Sequence, residues 1–341
     1  MTAILYIGNQ LNSNTKNPTY NVTLGRLLEQ EGFRVFNASS KKNKFIRLLD
    51  MLYSCFKYRK KVDYVLIDTY STLNFYYAFC VSQFCRLLRL RYITLLHGGG
   101  LPNRLKNNPV MCRLIFNKAY KNIAPSLYLK ACFKDFGYDQ VMHIPNALTL
   151  SDYPYTSRTC DKVRLLWVRS FSKIYNPQLA VKVLKALQDD GTNASLCMVG
   201  PDSDGSLEDV KALANALDVT VTFTGKLSKA EWTKLSEAYT VFINTTDFDN
   251  MPISVLEAMA LGLPVITTNV GGMPYLIDHK KDGLLVAPNS LEDFVYHIKW
   301  IAKNHEGYNA ITKHARMKVE TYDWEVVKKQ WLDVFNNVSS T

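Results

Sequence analysis

The stretch TTDFDNMPISVLEAMALGLPVITTNVGG, Thr245–Gly272, decides how the chain is read. It opens on acids and turn formers and passes through Pro252 into the apolar run ISVLEAMA. It stops at Gly262 and restarts at Pro264 in the β-branched run VITT. Strand end, helix, tight turn and strand in close succession are the rhythm of a β-α-β unit with a parallel sheet.

The same rhythm runs outward in both directions. Strands are expected at Ala3–Gly8, Arg34–Asn37, Tyr64–Asp68, Tyr92–His97, Asn122–Ala124 and Val141–Ile144 in the first half. In the second half they are Val163–Val168, Ser195–Gly200, Val219–Gly225, Thr240–Asn244, Pro264–Thr268 and Gly283–Val286, with helical periodicity in most gaps. The chain therefore reads as α/β, with two doubly wound Rossmann-like domains over 1–150 and 151–322. The polar stretch Thr149–Lys162 reads as their linker. The segment 323–341 reads as a closing helix with Trp324, Val327, Trp331 and Val334 at helical spacing. Ligands of such sheets bind at the carboxyl ends of the strands, so two domains imply a cleft between them.

The 341 residues, 47% apolar and 21% charged, suit an ordinary globular protein with more than one core. Seven scattered cysteines without a C-x-x-C pair fit reduced thiols. The start MTAILYIGNQ has no basic leader, and no run of 18 apolar residues occurs, so a cytoplasmic location is expected. The net charge of +11 sits in the first half. Residues 1–150 hold 21 Lys and Arg against 7 Asp and Glu, and residues 151–341 hold 20 against 23. Something anionic is expected to meet the first half. Two segments there, Lys44–Lys61 and Phe75–Arg91, mix aromatic and basic residues. They fit helices lying on an anionic membrane surface, and equally fit core helices with solvated basic faces. Nucleic acid is set aside, because no recognition motif accompanies the charge.

In the opening stretch, Asp247 and Asp249 could share a divalent ion only if they ended a strand. A second D-x-D at Asp202–Asp204 shows how common that pattern is, and no metal is assigned. Ser254-x-x-Glu257 reads as a capping box, as do Ser206-x-x-Asp209, Ser228-x-x-Glu231 and Ser290-x-x-Asp293. A helix starting near Ser254 would place Asp249 before its positive end and Glu257 one turn inside. An anion could then rest against Pro252, Ile253 and Ser254 while each carboxylate accepts hydroxyl hydrogen bonds. The two acids would stand on the order of 10 Å apart, about the reach from a hexose to a ribose across a diphosphate. Gly271-Gly272 reads as a place where backbone approaches a ligand closely.

The order D-x7-E, then AMALGLPVITTNVGG, then DGLLV (Asp282–Val286), resembles the signature of the retaining family-four glycosyltransferases, glycosyl transferases group 1. Consistent features run from about Ile4 to the C-terminal helix. The resemblance implies the GT-B fold, with the C-terminal helix packing back toward the first domain. It also implies Asp249 on the transferred sugar and Glu257 on the nucleotide ribose, with Asp249 one methylene shorter than the family's glutamate. Arg169 and Lys173 match the family's diphosphate-binding pair, spaced R-x3-K instead of R-x4-K. His97, opening HGGG, matches a histidine that contacts the donor sugar; a hydrolase reading of HGGG fails for want of G-x-S-x-G. Gly8-Asn9 stands where the family has a Gly-Gly pair at the phosphate-side loop, and Tyr275 where many relatives have an acid.

The implied site is thus His97, Arg169 and Asp249 for catalysis, with Gly8, Asn9, Arg169, Lys173, Pro252, Ile253, Ser254 and Glu257 for donor binding. The implied reaction moves a hexose with retention from a UDP- or GDP-linked donor to a hydroxyl of a glycan or lipid-linked saccharide. It needs no metal or cofactor and belongs to polysaccharide, lipopolysaccharide or glycolipid assembly, peripherally at the cytoplasmic face of a membrane. A nucleotide-sugar epimerase of the same fold and a catalytically silent binding module remain as alternatives.

Overall fold

The computed structural model describes residues 1–10 and 20–336. The chain divides into two compact units, Met1–Ala147 together with the chain from Val327 onward, and Leu148–Val326. The first unit holds β1 (Ala3–Ile7), β2 (Arg34–Ala38), β3 (Tyr64–Thr69), β4 (Tyr92–Leu96), β5 (Lys121–Ala124) and β6 (Val141–His143). The second holds β7 (Val163–Val168), β8 (Ala194–Val199), β9 (Val221–Gly225), β10 (Val241–Asn244), β11 (Val265–Thr268) and β12 (Leu284–Val286). All pairings are parallel, in the orders β2-β1-β3-β4-β5-β6 and β12-β11-β10-β7-β8-β9. Every strand expected from the sequence is present. Their near-continuous apolar runs reflect burial on both faces by crossover helices.

Each unit starts in the interior of its sheet and then reverses. After β1 the chain adds β2 on one side and β3 on the other. After β7 it adds β8 and β9 on one side and returns with β10. The loops leaving β1 and β3, and those leaving β7 and β10, therefore diverge at a crevice where a ligand can sit.

The stretch Thr149–Lys162 is not a free linker. Leu148, Leu150 and Tyr153 are buried in the second unit with Val255, Leu256 and Met259. Leu148 N donates to Tyr322 O at 2.9 Å and Trp324 N donates to Leu148 O at 2.9 Å. Its few apolar side chains, too sparse to show a period, are what the core takes up. The closing helix, Trp324–Asn336, contributes to the first unit from Val327. There the Phe335 ring lies 5.1 Å from Phe33 and 5.3 Å from Tyr64. The expected helical segment beyond residue 336 lies outside the described residues.

The two basic aromatic segments part company. The helix Asn74–Leu87 buries Phe75, Tyr77, Ala78, Val81 and Cys85, so the core reading holds for it. The helix Lys44–Tyr58 buries only Arg47, Met51, Ser54 and Cys55. Among the described residues no helix is long and apolar enough to cross a membrane.

Phe335→Ala should cost about 3–5 kcal/mol of first-unit stability, because a fully packed ring is removed. Denaturant unfolding measures this, and a loss below about 1 kcal/mol would show that the helix end is dispensable.

Candidate functional site

The second unit's site is built from loops laced to one another by hydrogen bonds. Arg169 N donates to Val199 O at 3.0 Å and Phe171 N to Pro201 O at 2.8 Å, which joins the loop after β7 to the loop after β8. Asp204 Oδ2 accepts from Ser172 Oγ and from Lys173 N, each at 2.9 Å. Ser206 also bonds Asp204, and these donors, led by the Ser206 hydroxyl, hold the Asp204 carboxyl at about 2. The D-x-D at Asp202–Asp204 is thus a loop brace. The loop after β10 is tied in likewise: Asp247 N donates to Ile174 O at 2.8 Å, and Thr245 Oγ1 to Asn176 O at 2.8 Å.

At the reversal between β7 and β10, Arg169 Nη2 pairs with Asp249 Oδ2. The guanidinium also lies 4.1 Å from the centre of the Tyr175 ring, and its buried Nε has no partner. Asp249 is fixed from behind, its Oδ1 accepting from Asn250 N at 2.8 Å and its carbonyl from Gly272 N at 2.8 Å. A Cβ on Gly272 would stand 1.6 Å from Asn250 O, and one on Gly271 2.1 Å from Asp249 O. The glycine pair accommodates the protein's own backbone, where the sequence suggested a ligand.

The helix Ile253–Ala260 begins after Pro252, which is extended (φ −71°, ψ 122°) and offers no side-chain cap. The expected capping box at Ser254 and Glu257 does not form. Because the helix starts two residues before the box would need, at Ile253 and not Val255, Ser254 is already helical, and its Oγ is buried without a partner. By contrast Ser228 and Glu231 do form a box. Ser290 accepts from Asp293 N, whereas Asp293 itself accepts from Ala287 N; Ser206 follows a glycine cap and turns to Asp204.

Glu257 turns inward instead and is 5% exposed. Tyr153 Oη donates to its Oε1 at 2.6 Å, and Lys229 Nζ lies 3.2 Å from the same oxygen. Oε2 takes neither bond. Burial raises the Glu257 pKa, opposed by Lys229 and Tyr153; burial and Glu257 together push the Tyr153 phenol up. Lys173 is exposed, its amide engaged by Asp204, and its ammonium contacts neither acid. Lys229, which sequence reasoning missed, is the lysine beside Glu257. Tyr153 was missed because it lies in the stretch read as a linker. The signal for Lys229 was its place at the start of the helix Lys229–Ser236 that follows β9, directly after the capping Ser228.

Asp247 Oδ1 accepts from Asn176 Nδ2 at 3.2 Å, so Asp247 and Asp249 serve different partners. No group of three or more His, Cys, Asp or Glu converges as a metal site among the described residues. Tyr275 is exposed.

In the first unit, His97 Nε2 lies 3.0 Å from Asp68 Oδ1, and Tyr6 Oη donates to the same oxygen at 3.1 Å. Tyr70 stacks on the imidazole at 4.9 Å and Tyr20 meets it edge-on at 5.8 Å. A carboxylate only accepts, so Nε2 carries a proton toward Asp68. A Cβ on Gly8 would stand 2.4 Å from Asp68 Oδ2, so Gly8 makes room for that carboxylate. Asn9 Nδ2 donates to Asn74 Oδ1 at 3.1 Å, and its Oδ1 accepts from Arg47 Nη1 at 3.3 Å. Asp68 and Tyr6, which complete this cluster, carry no motif of their own.

Residues 158–318 match the protein family described as glycosyl transferases group 1. That match lies within the second unit, Leu148–Val326. Sulfoquinovosyl transferase SQD2 of Arabidopsis thaliana is 33% identical over 152 residues, which are 42% of this chain and 28% of that protein. An uncharacterized glycosyltransferase of Haemophilus influenzae is 29% identical over 154 residues, 44% of this chain and 42% of the relative. The chain thus spans less than half the length of these two curated relatives. Among solved structures, sucrose-phosphate synthase of Thermosynechococcus elongatus superposes with a TM-score of 0.82 at 17% identity, covering 99% of both chains. HepE of Anabaena, in complex with UDP-glucose, gives 0.77 at 16% identity, covering 99% of this chain and 100% of that one. At such identities the likeness shows the fold, which is GT-B.

Two outcomes test the site of the second unit. Gly272→Ala should unfold at clearly lower denaturant than Gly191→Ala, although only Gly191 has a positive φ (+75°), because only Gly272 meets backbone. Equal losses would remove the close approach. The second concerns Glu257. Its folded pKa is raised by burial above the ordinary glutamate value of 4.5, so the native state holds this proton more tightly than the unfolded chain. That carboxyl's contribution therefore turns less favourable as pH climbs from 4.5 through the raised value, and stays so above it. Glu257→Gln should gain stability relative to the parent across that window, and a difference that is flat with pH would show no raised carboxyl.

Proposed function

We propose that the chain is a retaining glycosyltransferase that moves a hexose from a nucleoside diphosphate sugar to a hydroxyl of a glycan or lipid-linked saccharide. The observation that carries the reading is the cluster at the reversal of the second sheet. There Arg169 is paired with Asp249, beside the start of a helix whose Ser254 hydroxyl is unpaired, and one turn further in Glu257 keeps Oε2 uncommitted. The family match to residues 158–318 and the UDP-glucose bound to a protein of like fold support the donor class.

In this reading the diphosphate rests on the first amides of the helix Ile253–Ala260 and on the Ser254 hydroxyl, where the helix dipole favours negative charge. Arg169 has five N–H donors, so one face can keep Asp249 while another takes a phosphate oxygen. Asp249 accepts a hydroxyl of the transferred sugar. Glu257 accepts ribose hydroxyls on Oε2 while Tyr153 and Lys229 hold Oε1. The acceptor oxygen bonds to the anomeric carbon as the bond from that carbon to the β-phosphate oxygen breaks. The departing diphosphate takes the acceptor's proton. Charge grows on the leaving oxygen during this step, and that is where a preorganised guanidinium acts most strongly.

Thermal unfolding with UDP, GDP and their sugars, in EDTA and then with manganese, tests this. Stabilisation in EDTA is expected, about 2.7 kcal/mol at a hundredfold excess over Kd. A shift that requires manganese would overturn the metal-free site. Arg169→Ala should lower kcat by roughly a hundredfold, and Glu257→Ala should weaken nucleotide binding by roughly tenfold. Conversion of the donor without any acceptor would favour the epimerase instead.

A further inference from the structure

The helix Lys44–Tyr58 has two apolar faces. One is packed into the first unit through Met51 and Cys55. The other looks outward: Phe45 is 81% exposed, Leu49 65%, Tyr53 61% and Phe56 48%. At about 100° per residue these four fall within an arc of about 80°, in a row about 17 Å long. A packed core helix does not carry a second stripe of this kind, and large exposed apolar patches mark interaction surfaces.

Its surroundings are basic. Residues 41–61 hold eight Lys and Arg and one acid, Asp50. At the helix's C-terminal end a cavity of about 590 Å³ is lined by Arg59, Arg89 and Arg91. Asp63, the one acid lining it, already accepts from Ala3 N at 2.8 Å. None of the three arginines has a carboxylate partner among the described residues. Arg59 instead lies 3.8 Å from the Phe56 ring centre and donates to Phe56 O at 2.6 Å.

We propose that the first unit docks on an anionic lipid bilayer through this outward face. Phe45, Leu49, Tyr53 and Phe56 enter the interface, and Arg59, Arg89 and Arg91 take lipid phosphates into the cavity. The charge pattern selects the bilayer over a second copy of the chain, since a two-fold contact would press the same basic flanks together. It also selects this helix over Asn74–Leu87, whose aromatic residues are largely spent in the core. Interfacial aromatic and aliphatic side chains with flanking Lys and Arg give reversible attachment that weakens with salt. The inference does not rest on the transfer reaction.

Flotation with phosphatidylcholine vesicles, with and without phosphatidylglycerol, tests it. The protein should float only with the anionic vesicles, and less as salt rises. The double variant Leu49→Glu/Phe56→Glu should lower vesicle binding by roughly tenfold or more, while its unfolding midpoint stays near the parent's because both positions lie outside the core. Arg59→Gln with Arg91→Gln should weaken the preference for phosphatidylglycerol. Absence of flotation with anionic vesicles would overturn the proposal, as would equal flotation of the Leu49/Phe56 variant. So would a dimer in sedimentation velocity that this variant splits, which would make a second copy the occupant.

Discussion

No side chain fits at Gly272, and the site of the second unit depends on that. The backbone of Gly271-Gly272 lies against Asp249 and Asn250 at a distance that leaves no room for a Cβ. That contact gives Gly272 N its acceptor in the Asp249 carbonyl and fixes the loop after β10. With the loop fixed, the Asp249 carboxylate meets Arg169, whose own loop is laced to Val199, Pro201 and Asp204. The helix that follows then starts at a set point, after Pro252, with an unspent hydroxyl on Ser254 and Glu257 aimed inward. A short main-chain contact thus orients groups that are spread over some ninety residues of sequence.

Both units solve one electrostatic problem in a similar way. Parallel strands that end at a topological reversal leave a polar crevice, and each unit places a carboxylate there. In the first unit Asp68 is satisfied by His97 and Tyr6; in the second Asp249 is satisfied by Arg169. Glu257 is the costlier case. It is nearly enclosed, its partners fall on one oxygen, and burial raises its pKa despite a lysine nearby. A carboxylate held under those conditions is more often a binding group than a stabilising one. The same contrast separates the two basic aromatic helices of the first unit. One spends its aromatic side chains on the core, and the other leaves four large apolar groups in water.

The architecture was legible because it rests on local signals. Runs such as VLID, ITLL and LLWV need two covered faces, so their alternation with amphipathic helices already specifies two parallel sheets. The pairing of D-x7-E with AMALGLPVITTNVGG drew attention to Asp249 and Glu257 through its resemblance to the group 1 signature, which can be read because spacing along one loop and one helix is a property of the chain itself. The capping box was misread for the opposite reason. S-x-x-E has the same letters whether or not the helix starts at that serine, and the start was set by Pro252, held by packing.

What the sequence determined by itself was fold class, strand positions and the charge excess of the first half. All of these follow from periodicity, composition and short-range spacing. The tertiary structure alone decided that Glu257 meets Tyr153 and Lys229, that Asp68 stands behind His97, and that Gly271-Gly272 faces backbone. It also decided which aromatic helix faces water. Each of those joins residues far apart along the chain or chooses a helix face, and only packing sets which distant groups share a dry neighbourhood and which stay wet.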